Sequence, residues 1–534
     1  MQIETAHINE DKSLKLLPIE SAKEMISVNN AKYSGKGIKI GIMDGGIPDN
    51  LTNFSKGEIV ETNCETTSQH TTKVASIVGG TFGIAPESDL YITSNKFPKF
   101  VTNLEWLLTK GVDVINMSFG YGYGGKYAGY SAYVDYIIWH NYISIVKSAG
   151  NRGETDKKIT HPGMGLNIFT VGSVDAEKNI SDYSSYSVDD SVSGMIMKPT
   201  LVAPGENIII PNTLNSELNV DGTAIENDNS GTSYSAPMVT GTIALLMEEF
   251  PRLMKYPEVI MSTLIASASY LPNQTELWDP AAGSGLLNYE GARKLLSDEN
   301  YIDTIVTSST NNTSSVLNKT ITVPADTYAD YSFVNIFNHN VTTFSNSVYE
   351  LNFTKYQISI CDSSNNIVDS IQVGTNSNTI KGRIVNNSTK SQVYMIKVEM
   401  NGDKVGSFNE YLGLSIYIAP HIHDYRAPYK WIDLRKHTAT CRCESTIQQG
   451  HVVSSGGGTL LAVGTRYKTC LQCGGNAEVG FIINPTASVE VQYVTENGSY
   501  ILPNGVIVLV DEDIEAYMNQ TLLFQKKNNN QITE

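Results

Sequence analysis

Residues 230–250 read SGTSYSAPMVTGTIALLMEEF. A small, polar, glycine-marked turn passes into an almost uninterrupted apolar run, read as carrying only Gly241 as a weak interior helix former, and Pro251 follows it. The pattern predicts a buried helix reached through a tight turn. Ser233 then lies at the positive end of the helix dipole, where exposed backbone N–H groups can also serve a developing anion. An isolated serine in that place reads as an N-cap. It becomes a nucleophile only if the chain supplies a base and an acid to orient that base.

Upstream, residues 37–47 (GIKIGIMDGGI) form an apolar, β-branched run ending at Asp44 and two glycines. That is the pattern of a buried parallel strand that delivers Asp44 to its C-terminal end. His70 follows in SQHTTKVASIVGG, a polar stretch leading into Val74, Ala75, Ile77 and Val78, so it stands at the mouth of a buried helix. GIAPESDLYI (83–92) adds a turn and a strand, and residues 104–110 a helix. GVDVINMSFG (111–120) is a strand ending in Ser118, Phe119 and Gly120, and residues 132–140 are a helix. YISIVKSAGNRG (142–153) is a strand ending in Ser148, Ala149, Gly150 and Asn151. Strands alternating with helices predict an α/β fold, a parallel sheet with helices on both faces. Asp44, His70, Asn151 and Ser233 supply in turn an acid, a base, an amide donor and a hydroxyl. Each lies at the end or start of an element, where one crevice can collect them.

Composition narrows the partners. The 534 residues suffice for several domains, and 41% of them are apolar, enough for a substantial core. A net charge of −17, from 38 basic and 55 acidic residues, argues against nucleic acid and anionic membrane as partners. No stretch approaches the roughly 20 apolar residues of a membrane helix, and MQIETAHINEDKSLKLL lacks the apolar core of a signal peptide, so export is not encoded in the chain as given. Six cysteines are too few for a disulfide scaffold, and Cys64 and Cys361 read as buried or free thiols.

The segments IGIMDGGI, HTTKVASIVGG, GIAP, DVINMSFG, SAGN, HPG, VAPG, GTSYSAPMVTG and GSGLLN resemble, in that order, the motifs of the subtilisin-like serine proteases, or subtilases. The resemblance runs from Ile19 to Leu296. It implies a three-layer catalytic domain and a serine endopeptidase acting through an acyl-enzyme. Ser233 is the implied nucleophile, His70 the general base, Asp44 the orienting acid and Asn151 the oxyanion donor. Ser118–Gly120 and Ser148–Gly150 are the implied edge segments that pair with an extended polypeptide substrate. The alternative is a catalytically silent subtilase scaffold that binds or attaches to surfaces through its C-terminal modules. A silent relative would usually lack part of the constellation that is complete here.

The chain departs from the family pattern in four ways. The acid motif, usually Asp-Ser/Thr-Gly, is Asp44-Gly45-Gly46, and the histidine motif, usually His-Gly-Thr-His, is His70-Thr71-Thr72-Lys73. Arg152 follows the amide donor, where acidic or neutral residues are common; it is expected to disfavour basic and favour acidic or neutral residues before the cut bond, or else to be an exposed loop arginine. A signal peptide and a folding-assisting propeptide do not fit ahead of Asp44, which implies a mature or truncated form or unaided folding. The family favours secretion or the cell surface. His161-Pro162-Gly163 resembles a turn near the substrate pocket where a cis peptide bond occurs. The chemistry needs no cofactor; structural calcium is common in the family, but no ligand set here matches one.

Residues 1–298 are expected to form the catalytic domain. Residues 299–420 are rich in Asn, Ser, Thr and Val with alternating runs such as YQISICD and QVYMIKVEM, which predicts an antiparallel β-sandwich like those appended to many secreted bacterial proteases. Residues 421–480 form a small Cys/His module. Its Cys441, Cys443, Cys470 and Cys473, near His421, His423, His437 and His451, fit a tetrahedral zinc site or, failing that, two disulfides or an unmetallated β-domain. Residues 481–534 read as a β-rich segment with a disordered polar tail, FQKKNNNQITE, and no repeat of 20–50 residues is visible along the chain.

Overall fold

In the computed structural model the described residues are 16–420, apart from 56, 97, 123–124, 187–197, 212–228, 308–314, 339–340, 342, 346–352 and 374–376, together with the backbone of the strands given below beyond residue 420. Seven strands make the central sheet: β1 (Lys39–Asp44), β2 (Ile59–Asn63), β3 (Asp89–Ser94), β4 (Val114–Met117), β5 (Ser144–Ser148), β6 (Phe169–Val174) and β7 (Leu201–Pro204). Their order is β7-β6-β5-β4-β1-β3-β2, and every neighbouring pair is parallel. β1, β4 and β5 are buried almost throughout, which is why they read as unbroken apolar runs. Because the strands run the same way, Asp44, Ser118 and Asn151 all emerge at one edge of the sheet.

The helices that matter for that edge are α1 (Gln69–Gly79), α2 (Phe100–Thr109), α3 (Gly129–Asn141), α4 (Thr232–Glu249), α5 (Pro257–Ser267) and α6 (Tyr289–Ser297). Ser68 caps α1, its hydroxyl accepting from the backbone N–H of Thr71 at 3.2 Å. α4 is buried from Tyr234 to Met247 and carries Pro237 within it. Pro237 cannot donate to the carbonyl of Ser233, four residues earlier. The hydroxyl of Ser118 fills that vacant acceptor at 2.8 Å, so a helix defect ties the start of α4 to the end of β4.

After α6 the chain turns to antiparallel sheets. β8 (Tyr301–Val306), β10 (Thr327–Ile336), β13 (Thr379–Asn386) and β15 (Glu410–Ile418) form one, in the order β8-β15-β10-β13. β9 (Ser315–Val323), β11 (Tyr356–Cys361), β12 (Ile367–Val373) and β14 (Gln392–Met400) form the other, in the order β9-β14-β11-β12. The inner faces enclose a core that includes Phe333, Tyr356, Ile358, Val398 and Leu414. This sandwich does not stand apart: residues 1–386 and 391–420 form one compact unit. Val334, Ile336 and Tyr411 join the core of the α/β layers, and Ser415 bonds to Ser262 (2.8 Å) and Thr263 (3.1 Å) on α5.

The second unit, residues 387–390 and 421–534, holds four consecutive three-stranded antiparallel sheets. They are built from Tyr429–Trp431, Lys436–Thr440 and Thr446–Gly450; Thr459–Ala462, Thr465–Thr469 and Asn476–Phe481; Gln492–Val494, Ser499–Ile501 and Ile507–Leu509; and Glu515–Met518, Thr521–Lys527 and Gln531–Thr533. The recurrence is one of backbone pairing, which tolerates varied side chains and leaves no sequence repeat to see. The tail also departs from expectation, since Thr521–Lys527 pairs with Gln531–Thr533. Three asparagines separate these strands, and Asn is a turn former as much as a mark of disorder. Cys441, Cys443, Cys470 and Cys473 lie outside the described residues, so the zinc expectation does too.

Candidate active site

Asp44 ends β1 and is 1% exposed. Its Oδ1 accepts three hydrogen bonds: from the backbone N–H of Gly45 (2.6 Å), from His70 Nδ1 (2.8 Å) and from the hydroxyl of Thr71 (3.1 Å). Its Oδ2 is buried without a hydrogen-bond partner. His70 is the second residue of α1, and its side chain is 40% exposed. A bond from Nδ1 to a buried carboxylate fixes the tautomer and leaves Nε2 as the base. The ring lies against Tyr234, centroids 5.8 Å apart, which places His70 beside the residue that follows Ser233.

Ser233 is the second residue of α4, and its hydroxyl donates to the carbonyl of Ser118 at 3.1 Å. A buried polar chain supports this corner: Thr240 donates to Asn116 Oδ1 (3.0 Å), and Asn116 Nδ2 donates to Ser118 Oγ (2.9 Å). Each such bond is worth about 1 kcal/mol net, more if one partner is lost and the other stays buried. Asn116 and Thr240 carry no mark in the sequence beyond being polar residues inside apolar elements.

Asn151 follows β5. Its Oδ1 accepts from the backbone N–H and the hydroxyl of Thr232, at 3.0 and 2.9 Å, and that hydroxyl accepts from the N–H of Gly150 at 3.0 Å. These bonds settle the orientation of the amide: the oxygen faces Thr232 and the Nδ2 group faces away from it. A Cβ placed on Gly231 would stand 3.0 Å from Asn151 Nδ2 and 3.7 Å from Ser233 N. The missing side chain thus leaves a space flanked by two N–H donors. Asp44, His70, Asn151 and Ser233, together with Ser118, are therefore gathered at one edge of the sheet.

The two edge segments differ. In Ser148–Gly150 the backbone is already bonded: Ala149 donates to Val171 and accepts from Thr160 (3.0 Å), and Gly150 accepts from Ser185 (2.9 Å). Ser118, Phe119 and Gly120 lie beyond β4, where Tyr121 pairs with His161. Thr160 stands between the segments, its Oγ1 2.1 Å from where a Cβ on Gly120 would be and 3.0 Å from one on Gly150. Thr160 carries no mark in the sequence beyond its place immediately before His161-Pro162-Gly163, whose His161–Pro162 bond is cis. Behind Thr160 lies Lys147, fully buried, its Nζ donating to Thr160 Oγ1 at 3.3 Å and to the carbonyl and hydroxyl of Ser148. Burial pulls its pKa down to about 7. Burial, with Lys147 as a neighbouring charge, also lowers that of His161. Arg152 forms a fork with Asp156, Nε and Nη2 each 2.7 Å from a carboxylate oxygen. The Asp156 carboxyl is held down to about 2 by that guanidinium.

The subtilase family model matches residues 35–292. The chain carries a subtilase domain. Subtilisin DY of Bacillus licheniformis is 29% identical over 288 residues, covering 49% of this chain and 92% of that protein. The major intracellular serine protease of Bacillus subtilis (strain 168) is 28% identical over 261 residues, 42% of this chain and 74% of that protein. Among solved structures, the prenylagaramide maturation protease PagA covers 51% of this chain and 98% of its own, at 22% identity and a TM-score of 0.39. Subtilases are, at the level of the family, serine proteases whose substrates are polypeptides. Among the described residues no helix is long and apolar enough to cross a membrane, and no cluster of His, Cys, Asp and Glu could hold a metal ion.

Proposed function

We propose that the subtilase domain is an endopeptidase with Ser233 as nucleophile, His70 as base, Asp44 as orienting acid, and Asn151 Nδ2 with Ser233 N as oxyanion donors. The observation that carries this reading is the 2.8 Å bond from His70 Nδ1 to the buried Asp44, on a histidine that is itself partly exposed. Ser233 Oγ attacks the scissile carbonyl while His70 Nε2 takes its proton; the imidazolium formed is stabilised by Asp44. Charge developing on the carbonyl oxygen is received in the space beside Gly231. The proton then passes to the leaving amine, an acyl-enzyme remains on Ser233, and water activated by His70 releases the acid.

The extended substrate pairs with Ser118–Gly120, while Ser148–Gly150 lines the pocket. Thr160 stands between the two segments, close to both Gly120 and Gly150, so a small residue before the cut is expected. Arg152, next to Asn151, is expected to disfavour a basic residue there only weakly, because the Asp156 carboxylate offsets its charge. Incubation with an unfolded protein, with new termini mapped by mass spectrometry, tests the reading. Internal cleavages after small residues are expected, and Ser233→Ala abolishes them. A folded wild type that cuts nothing, or an equally active Ser233→Ala, overturns the endopeptidase. Cleavage concentrated after Lys, Arg or Phe overturns the pocket.

A further inference from the structure

Two of the departures in sequence meet in space. Asp44 is followed by Gly45 where the family carries a hydroxyl residue, and His70 is followed by Thr71 where the family carries glycine. Thr71 is fully buried on the first turn of α1. Its hydroxyl donates to Asp44 Oδ1 (3.1 Å) and accepts from the N–H of Gly46 (3.2 Å). A Cβ on Gly45 would stand 2.9 Å from Ser68 Oγ, which caps that same turn, and 4.0 Å from Thr71 Oγ1. A side chain at 45 would thus crowd the Ser68 hydroxyl that caps the turn and come into van der Waals contact with the Thr71 hydroxyl, so the two positions are neighbours across one small space. With Oδ2 of Asp44 unbonded, every donor the carboxylate has converges on Oδ1, and Thr71 supplies the one side-chain hydroxyl among them.

We propose that Thr71 is a positioning residue of the catalytic triad, and that Gly45 and Thr71 are a coupled exchange in which the hydroxyl holding Asp44 comes from the helix of His70 rather than from the acid loop. The inference rests on the triad reading above. The base and the strap of its acid are adjacent residues on one helical turn, so α1 sets the Asp44–His70 geometry as a unit. Loss of the hydroxyl leaves the Asp44 charge less satisfied, which favours the imidazolium and raises the pH at which His70 gives up its proton. Titratable neighbours among the described residues include Tyr234, facing His70 from α4, and Cys64, just beyond β2, with the Lys96 charge acting on the same thiol. The Cys64 thiol is pushed up to about 11 by burial, with the Asp44 charge adding to the rise, well clear of the acid limb.

The test is the pH profile of kcat/KM for Thr71→Val, Thr71→Ala and Thr71→Ser, with a fluorophosphonate probe counting reactive Ser233 in each preparation. Thr71→Val is expected to lower kcat by about tenfold with KM little changed, and to move the acid limb upward by about half a pH unit or more. Thr71→Ser is expected to restore both. If Thr71→Val does not fold, Thr71→Ala against Thr71→Ser makes the same comparison. Gly45→Ser combined with Thr71→Gly is expected to exceed Thr71→Gly alone by about tenfold, the two changes compensating rather than adding. An unmoved acid limb, a Thr71→Ser no better than Thr71→Ala, or purely additive losses would overturn the proposal. A wild type that the probe does not label would instead overturn the triad reading itself.

Discussion

Two aspartates in this molecule are equally buried and serve opposite ends. Asp44, at the edge of the parallel sheet, receives a backbone N–H, a hydroxyl and a histidine on one oxygen and nothing on the other. Asp330, on β10, is 1% exposed and gripped from all sides where the sandwich meets the α/β layers. Arg383 binds it through Nε (2.6 Å) and Nη2 (3.0 Å), the hydroxyl of Tyr270 donates at 2.8 Å, and the fully buried Lys381 lies 3.8 Å away. Lys381 also donates to the carbonyl of Ser284 at 3.0 Å, so the cluster spans the seam. A carboxylate matched by fixed cations has nothing left to gain from a moving proton. One matched by neutral donors, and fully balanced only when its histidine is protonated, lowers the cost of charging that histidine. The first arrangement holds two layers together; the second suits proton transfer.

Exchange of each carboxylate separates the two roles. Asp44→Asn is expected to lower kcat by about 10⁴-fold, as removal of the triad carboxylate does in serine proteases, while the unfolding midpoint moves little. A variant that keeps more than a tenth of the activity would break the assignment of Asp44 to catalysis. Asp330→Ala does the reverse. It strands the Arg383 and Lys381 cations at the seam, so it is expected to cost roughly 3–5 kcal/mol in denaturant unfolding. Activity per folded molecule at low temperature should stay near wild type. A large loss of activity without loss of stability would show the seam and the site to be one system.

A third buried charge sharpens the contrast, because Lys147 has only neutral oxygens as hydrogen-bond partners among the described residues. Its folded pKa, about 7, lies below its ordinary value of 10.5. The unfolded chain therefore binds the proton more tightly between those values, and the destabilisation Lys147 causes is full below pH 7 and fades as pH rises to about 10.5. Lys147→Met is accordingly expected to raise the melting temperature at pH 7 by a few degrees, with the gain shrinking at high pH. A gain that does not change with pH would mean that charge burial is not its cause.

How much of this could be read in the sequence follows from where the interactions lie. Strands buried on both faces appear as apolar runs, so KIGIMD and VINM gave away the parallel sheet, and its directionality put Asp44, Asn151 and the Ser118 segment at one end. The site residues could be named because each sits at the junction of a run and a turn. What could not be read depends on partners distant in sequence. Pro237 looks like an oddity of α4 until Ser118 is found on the carbonyl it leaves open. Thr71 and Gly45 look like two weakened motifs until the hydroxyl is found on Asp44. The Asp330 cluster joins residues from three separate segments, and nothing local to any of them announces a buried charge.

The central claim is that Ser233 is a nucleophile activated by His70 and Asp44, and intact-mass analysis after exposure of the full chain to a fluorophosphonate tests it most directly. A single adduct is expected, mapped by peptide sequencing to Ser233, lost in Ser233→Ala and formed far more slowly in His70→Ala. No adduct on the folded wild type, or an adduct that persists in Ser233→Ala, would contradict it.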